Sequence, residues 1–260
     1  MIKKIITKVL VWNLSHNFLF NKCLIALKLD KKVASFTNPY LTLKPNLNKG
    51  VQENAGYSLR PEINEVLEKS KNDLLNCVAT NLKNDDEILE IGCGPGMYLS
   101  ILPNLYKKVA CDINEGLLEI AKKQVSSATF YKGNFSDITF KESFNFIYCI
   151  GVLVYFTPTE LKHVLTKAHQ LLNKDGILYI NYPHAISKAD TQFANLTYLH
   201  YSPAYIEKLI QNKFEIITHH HAFDGRIIED YDKQPYKSLN PNTKRTYKNS
   251  YLLIAKKITV

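Results

Sequence analysis

The feature that most limits what this chain can fold into is the run Glu90-Ile91-Gly92-Cys93-Gly94-Pro95-Gly96. It stands directly behind Glu87-Ile88-Leu89-Glu90-Ile91, which reads as a short buried strand ending in a glycine turn. Glycines after a buried parallel strand let backbone approach a ligand closely, and the next helix is expected to point its N–H groups there. The spacing is G-x-G-x-G. A dinucleotide fingerprint needs G-x-G-x-x-G, with glycine or alanine at position 97, where Met97 stands. Pyrophosphate binding is therefore disfavoured, and a nucleoside with a different tail fits better.

From Tyr57 onward the pattern alternates strand and helix. Pro61 suits a first helical position, and Ile63, Val66, Leu67, Leu74, Val78 and Leu82 follow at helical spacing. Strands are expected at 108–111, 129–131, 144–150, 177–182, 214–221 and 251–255. Thr157-Pro158-Thr159-Glu160 has the residues of a capping box and opens a helix that stops at Asp175-Gly176. Ser202-Pro203 opens another. Strands alternating with helices predict an α/β fold, a doubly wound parallel sheet covered on both faces.

Residues 1–56 do not fit this alternation, so the chain divides into an N-terminal extension, 1–56, and a body, 57–260. The extension is dense in apolar residues, among them Trp12, Phe18 and Phe20, and reads as one or two amphipathic helices. Its longest apolar run, Val9 to Phe20, is broken by Asn13, Ser15, His16 and Asn17. That run is too short and too polar for a membrane span, and no small-x-small cleavage site follows it.

The formal net charge is +9 and uneven. The extension holds nine lysines against Asp30 and Glu53, and residues 237–257 hold six basic groups and no acid. Basic ends can meet nucleic acid or a membrane surface, but solvated surface lysines are the plainer reading. Packing of the extension on the body, or on a second copy in a homodimer, is favoured over membrane binding. Five widely spaced cysteines form no C-x-x-C pair, which argues against a disulfide framework or zinc site and for a reducing cytoplasm.

Asp112 stands at the end of the second expected strand, where a carboxylate can accept from both hydroxyls of a ribose. Gly133-Asn134-Phe135 follows the third, where an amide and a backbone N–H can read a purine edge. Cys149-Ile150-Gly151-Val152 ends the fourth, its backbone facing the same crevice.

With ILEIGCGPG, ACDIN, KGNFSD, FNFIYCIGVLVYF and DGILYINYP in that order, residues 57–260 resemble a class I S-adenosylmethionine-dependent methyltransferase. The resemblance implies a mostly parallel, seven-stranded Rossmann-like sheet and S-adenosylmethionine as cofactor. It implies that the turn from Glu90 through Gly92, Cys93, Gly94 and Gly96 passes under the methionine part and that Asp112 binds the ribose. Ile113 would lie on the adenine, with Asn134 and Phe135 at its edge, and Cys149 would join the cofactor-binding residues through its backbone. Many relatives carry aspartate where Asn134 stands, yet the amide oxygen can still accept from the adenine amine.

The acceptor side is less determined. Residues lining it should follow strands four, five and six: Tyr155, then Tyr182, His200 and Tyr201, then His221 and Arg226. His184 and His200 are possible general bases, with His184 the leading candidate. His219-His220-His221 alternates across a strand, so at most two share a face, and it is not a metal cluster on spacing. The chain lacks [DN]-P-P-[YF] after the fourth strand, which disfavours amino methylation of nucleic acid. It also lacks the aspartate that metal-dependent catechol-type relatives carry there. A metal-independent enzyme acting on a small molecule, such as a glycan or secondary-metabolite precursor, remains the leading expectation. Methylation of RNA or protein guided by the basic ends, and a catalytically silent binding subunit, are the alternatives.

Overall fold

A computed structural model describes residues 44–46, 48–55, 61–183, 192–193, 196–197, 201–222 and 250–259. The strands are β1 (Glu87–Ile91), β2 (Lys107–Asp112), β3 (Thr129–Lys132), β4 (Phe144–Ile150), β5 (Leu172–Pro183), β6 (Gln192–Phe193), β7 (Leu196–Thr197), β8 (Phe214–His221) and β9 (Ser250–Lys257). The helices are α1 (Val51–Asn54), α2 (Pro61–Asn81), α3 (Glu115–Gln124), α4 (Pro158–Leu171) and α5 (Pro203–Ile210).

Seven strands form one sheet in the order β3-β2-β1-β4-β5-β9-β8, and β6 pairs with β7 apart from it. Strands β1 to β5 run parallel, whereas β9 is antiparallel to both its neighbours, β5 and β8. This is the mostly parallel, doubly wound sheet expected from the alternation. Strand β4 (Phe-Asn-Phe-Ile-Tyr-Cys-Ile) is buried at all but Asn145, the signature of a strand covered on both faces. Chain order runs outward from β1 to β3 and then returns to β4. That reversal opens a crevice at the carboxyl ends of β1 and β4, where ligands of such sheets bind.

One core layer joins α4 and α5 to the sheet through Leu161, Val164, Ala168, Ile206 and Ile210. The other joins α2 and α3 through Leu67, Leu74, Val78, Leu118 and Ala121. Helix starts follow local chemistry. Asn114 accepts from the Leu117 N–H at the head of α3, and Ser202 accepts from Tyr205 N–H at α5. Thr157, which is buried, and the partly buried Glu160 form the expected box: Thr157 N–H donates to Glu160 Oε2 at 2.9 Å, and Glu160 N–H to Thr157 Oγ1 at 3.3 Å. Thr157→Ala is expected to cost about 1–2 kcal/mol of stability, the usual loss of an N-cap. Urea melts should show it, with Thr157→Ser close to wild type.

Two expectations change. The helix placed after the glycine turn is only a 3-10 turn, Leu99–Ile101. Pro103 disfavours helical backbone at Leu102, so the stretch from Met97 is too short for an α-helix. Strand β5 begins at Leu172, which pairs with Phe144, rather than at Ile177. Asp175, at φ 62°, makes the irregularity before regular pairing resumes at Ile177.

The described part of the extension packs on the body. Val51 and Ala55 meet the α2–α3 layer, and the buried Asn54 side chain takes the Asn46 N–H and donates to the Asn46 carbonyl. Pro45 lies so close to Gly116 that a Cβ there would stand 2.7 Å from its ring. Residues 1–43, with Trp12, Phe18 and Phe20, lie outside the described residues, and so do the expectations placed on them. Among the described residues no helix is long and apolar enough to cross a membrane.

Candidate active site

The glycine turn is clamped to β2 rather than to a helix. Gly92 and Cys93 both donate their N–H groups to the Cys111 carbonyl, at 2.8 and 3.1 Å. Gly94 N–H donates to Asp112 Oδ2 at 2.8 Å. Gly92 has φ 72°, and a Cβ on it would stand 2.6 Å from Val152 Cγ2. Gly94, at φ 51°, is different: a Cβ there would meet no atom within 4 Å. Gly92 is thus required by packing, whereas Gly94 faces open space and leaves bare backbone toward it.

Asp112 shares its two oxygens between the turn and the chain beyond β2, since Oδ1 accepts from Asn114 N–H at 2.8 Å. The Ile113 N–H also acts on this carboxylate, so three of its four lone-pair positions are engaged and one stays available to a ligand hydroxyl. Burial raises its pKa, opposed by the N–H groups of Asn114, Gly94 and Ile113. The cap of α3 is Asn114, which leaves Asp112 free for a ligand.

Glu90 lies beneath the turn, 2% exposed, and accepts from the Tyr148 hydroxyl at 2.9 Å. Burial pushes its pKa up to about 8, with the Tyr148 hydrogen bond lowering it and the Asp112 charge raising it. Between the ordinary glutamate range and about pH 8 the folded chain keeps a proton that the unfolded chain has released. Stability should therefore fall as pH rises through that window and level off above it. Glu90→Gln is expected to flatten the slope. Urea midpoints from pH 4 to 9 should show the variant gaining on wild type up to about pH 8.

At the end of β3, Gly133 N–H donates to the Asp112 carbonyl at 2.9 Å, tying the next loop to the same crevice. Asn134 Oδ1 accepts from Ser136 N–H at 3.0 Å, which fixes the orientation of its amide and leaves one lone pair. The Phe135 ring turns into the core against Phe140, so only its backbone can face a ligand. The Cys93, Cys111 and Cys149 thiols are buried and their pKa values raised. Cys149 sits in the α4–α5 layer, so its expected contribution rests on backbone alone.

On the other side of the crevice, Gly151 N–H donates to the Asn181 carbonyl at 2.9 Å and joins the ends of β4 and β5. Tyr155 closes the 3-10 turn Leu153–Tyr155 and is half-buried. Tyr201 is buried, donates its hydroxyl to the Phe156 carbonyl and stacks on Tyr205. Tyr182, Tyr251 and His221 stand in one row across β5, β9 and β8. Tyr182 stacks on Tyr251 at 5.7 Å between centroids, and His221 meets that ring edge-on at 6.0 Å. The Tyr182 hydroxyl lies 2.9 Å from His219 Nε2, and His219 Nδ1 lies 2.7 Å from Glu207 Oε1. A carboxylate only accepts, so Nδ1 carries hydrogen. Burial lowers the His219 pKa, and in the neutral ring Nε2 accepts from Tyr182.

A family profile described as a methyltransferase domain matches residues 88–176, from β1 through the start of β5. The chain carries a class I S-adenosylmethionine-dependent methyltransferase domain. It is 27% identical over 120 residues to malonyl-[acyl-carrier protein] O-methyltransferase of Priestia megaterium, covering 44% of this chain and 43% of that protein. It thus spans less than half of that relative's length. The fold matches the N-methyltransferase NodS of Bradyrhizobium japonicum, solved with S-adenosyl-L-homocysteine, at TM-score 0.57 and 11% identity, covering 80% of this chain and 96% of that one. It matches Haemonchus contortus phosphoethanolamine N-methyltransferase 1, solved with phosphoethanolamine and S-adenosylhomocysteine, at TM-score 0.57 and 13% identity, covering 76% of this chain and 44% of that one.

In this methyltransferase domain the carboxyl ends of β1 to β3 bring together Glu90, the three glycines, Asp112, Ile113 and Asn134. Tyr182 and His221 lie in the last residues of β5 and β8, and Tyr155 and Tyr201 follow β4 and β5. His184, His200 and Arg226 lie outside the described residues. Sequence reasoning passes over His219, Glu207, Tyr148 and Lys167. Strand alternation does place His219 on the face of His221, but nothing local names its partners.

Proposed function

We propose that this methyltransferase moves the methyl group of S-adenosylmethionine to an oxygen or nitrogen of a small-molecule acceptor. The observation that carries the reading is the donor cradle: the bare Gly94 backbone facing open space beside Asp112, whose carboxylate keeps an acceptor position after taking the neighbouring N–H groups. Asp112 would hold the ribose hydroxyls, Ile113 would lie against the adenine, and Asn134 with the Phe135 N–H would meet its edge. The bound cofactor supplies an activated sulfonium methyl. The acceptor's lone pair would form the new bond to that carbon as the S–CH3 bond breaks, leaving S-adenosylhomocysteine, and the acceptor's proton would pass to water. The protein's share is alignment and exclusion of water. Tyr155 and the stacked pair Tyr182–Tyr251 would supply aromatic surface for both tasks. Relatives named for malonyl-carrier and phosphoethanolamine methylation support a small acceptor.

The test uses methyl-labelled S-adenosylmethionine with phosphoethanolamine, a malonyl thioester, an amino sugar, a cell metabolite extract and bulk RNA. Label in a low-molecular-weight product supports the reading. Label confined to RNA, and lost with rising salt, would replace it with one guided by the basic ends. Calorimetry without added metal should show one S-adenosylhomocysteine site per chain.

A further inference from the structure

Lys167 of α4 spends its ammonium on one loop. Its Nζ donates to the carbonyls of Phe135 at 2.7 Å, Ser136 at 3.1 Å and Ile138, a full complement for three N–H donors. It also lies 5.2 Å from the Phe135 ring centroid and 5.5 Å from that of Phe140. Among the described residues no carboxylate stands within ion-pair distance of it. Burial lowers its pKa, so desolvating this cation carries a cost that the loop contacts must offset.

The loop it grips is the one after β3. Asp137 and Ile138 both donate N–H to the Asn134 carbonyl, at 2.9 and 3.2 Å, so residues 134–138 form a single tight turn. In such a turn the carbonyls point one way and the first N–H groups the other. Three converging carbonyls repel one another, and a cation among them removes that repulsion. The opposite side carries the Phe135 N–H, which donates to no acceptor among the described residues, and the Asn134 amide.

We propose that Lys167 is the positioning residue for the nucleobase end of the methyl-donor site, holding the 134–138 turn in the shape that reads adenine. This rests on placing Asn134 and the Phe135 N–H at the adenine edge. The pair is chemically selective: Asn134 Oδ1 accepts from a 6-amino group, and the Phe135 N–H donates to N1. Hypoxanthine reverses both, with a carbonyl at position 6 and hydrogen on N1. The Ser136 N–H holds the Asn134 amide, so it cannot rotate to suit the reversed base.

The experiment is calorimetric titration of the full chain with S-adenosylhomocysteine and with S-inosylhomocysteine. Wild type is expected to favour the adenine ligand by about tenfold or more, since the wrong base leaves polar groups unpaired. Lys167→Met should weaken the adenine ligand by about tenfold and cut the preference below about threefold, the scale of one charge-assisted hydrogen bond. Lys167→Arg, with charge and several donors, should keep most of the preference. Should Lys167→Met fail to fold, Lys167→Gln is read in its place, since it keeps the stem over the rings without the charge. An unchanged preference in the uncharged variant, or equal loss for both ligands, overturns the proposal. Wild type binding both ligands equally removes the adenine-edge reading itself, and the proposal with it.

Discussion

Asp112→Ala is expected to weaken S-adenosylhomocysteine binding by about 1.5–3 kcal/mol, the range for hydrogen bonds to a charged group. That is a loss of roughly tenfold to 150-fold in affinity. Two effects add. The ribose loses its acceptor, and the N–H groups of Gly94 and Asn114 lose the carboxylate that holds them at 2.8 Å. Asp112→Asn keeps one acceptor oxygen and the side-chain volume, so it should fall between wild type and alanine. Calorimetry well below each variant's melting point separates binding from unfolding. Alanine binding as tightly as wild type would remove Asp112 from the cofactor site.

The glycine turn gives the second large effect, because its glycines are glycine for different reasons. Gly92→Ala must hold φ 72°, which costs an ordinary residue about 1–2 kcal/mol. Its new methyl would also stand 2.6 Å from Val152 Cγ2, an overpacking of about 1–3 kcal/mol. Against a typical total of about 5–15 kcal/mol, the loss is a large share of the fold's stability. The double variant Gly92→Ala/Val152→Ala should recover the packing part and not the backbone part. Gly94→Ala bears only the milder strain of φ 51°, since its methyl meets no protein atom. Its stability should fall only by a backbone cost of up to about 1–2 kcal/mol, less than for Gly92→Ala, yet it should lose about tenfold or more in cofactor affinity, because the methyl occupies ligand space. Denaturant melts and calorimetry on the same samples check the pair. A Gly94→Ala protein that binds normally would mean the methionine part does not cross there.

Elements built from neighbours in the chain are legible in the amino-acid sequence. Strand β4 is bounded there at Phe144 and Ile150 because it is an apolar run covered on both faces. The Thr157–Glu160 box and the Asp112 position are readable because each depends on a few residues in sequence. The 3-10 turn at Leu99–Ile101 runs against expectation because a glycine turn usually opens a helix, and the signal against it, Pro103, lies beyond the motif.

The rest is decided by contacts between distant residues. Lys167 in the sequence is one more lysine on an amphipathic helix, and only the packing of α4 on the sheet brings it to carbonyls about thirty residues earlier. His219 meets Tyr182 although β9 lies between their strands, because the rows across β5, β9 and β8 put both side chains on one face beneath α5. The sequence by itself determined the fold class, the glycine turn after β1 and the acidic residue that ends β2. Periodicity, capping and glycine spacing act over one turn or one strand. The tertiary structure decided which buried polar groups meet, because a buried hydrogen bond forms wherever packing brings donor and acceptor together, and sequence distance does not measure that.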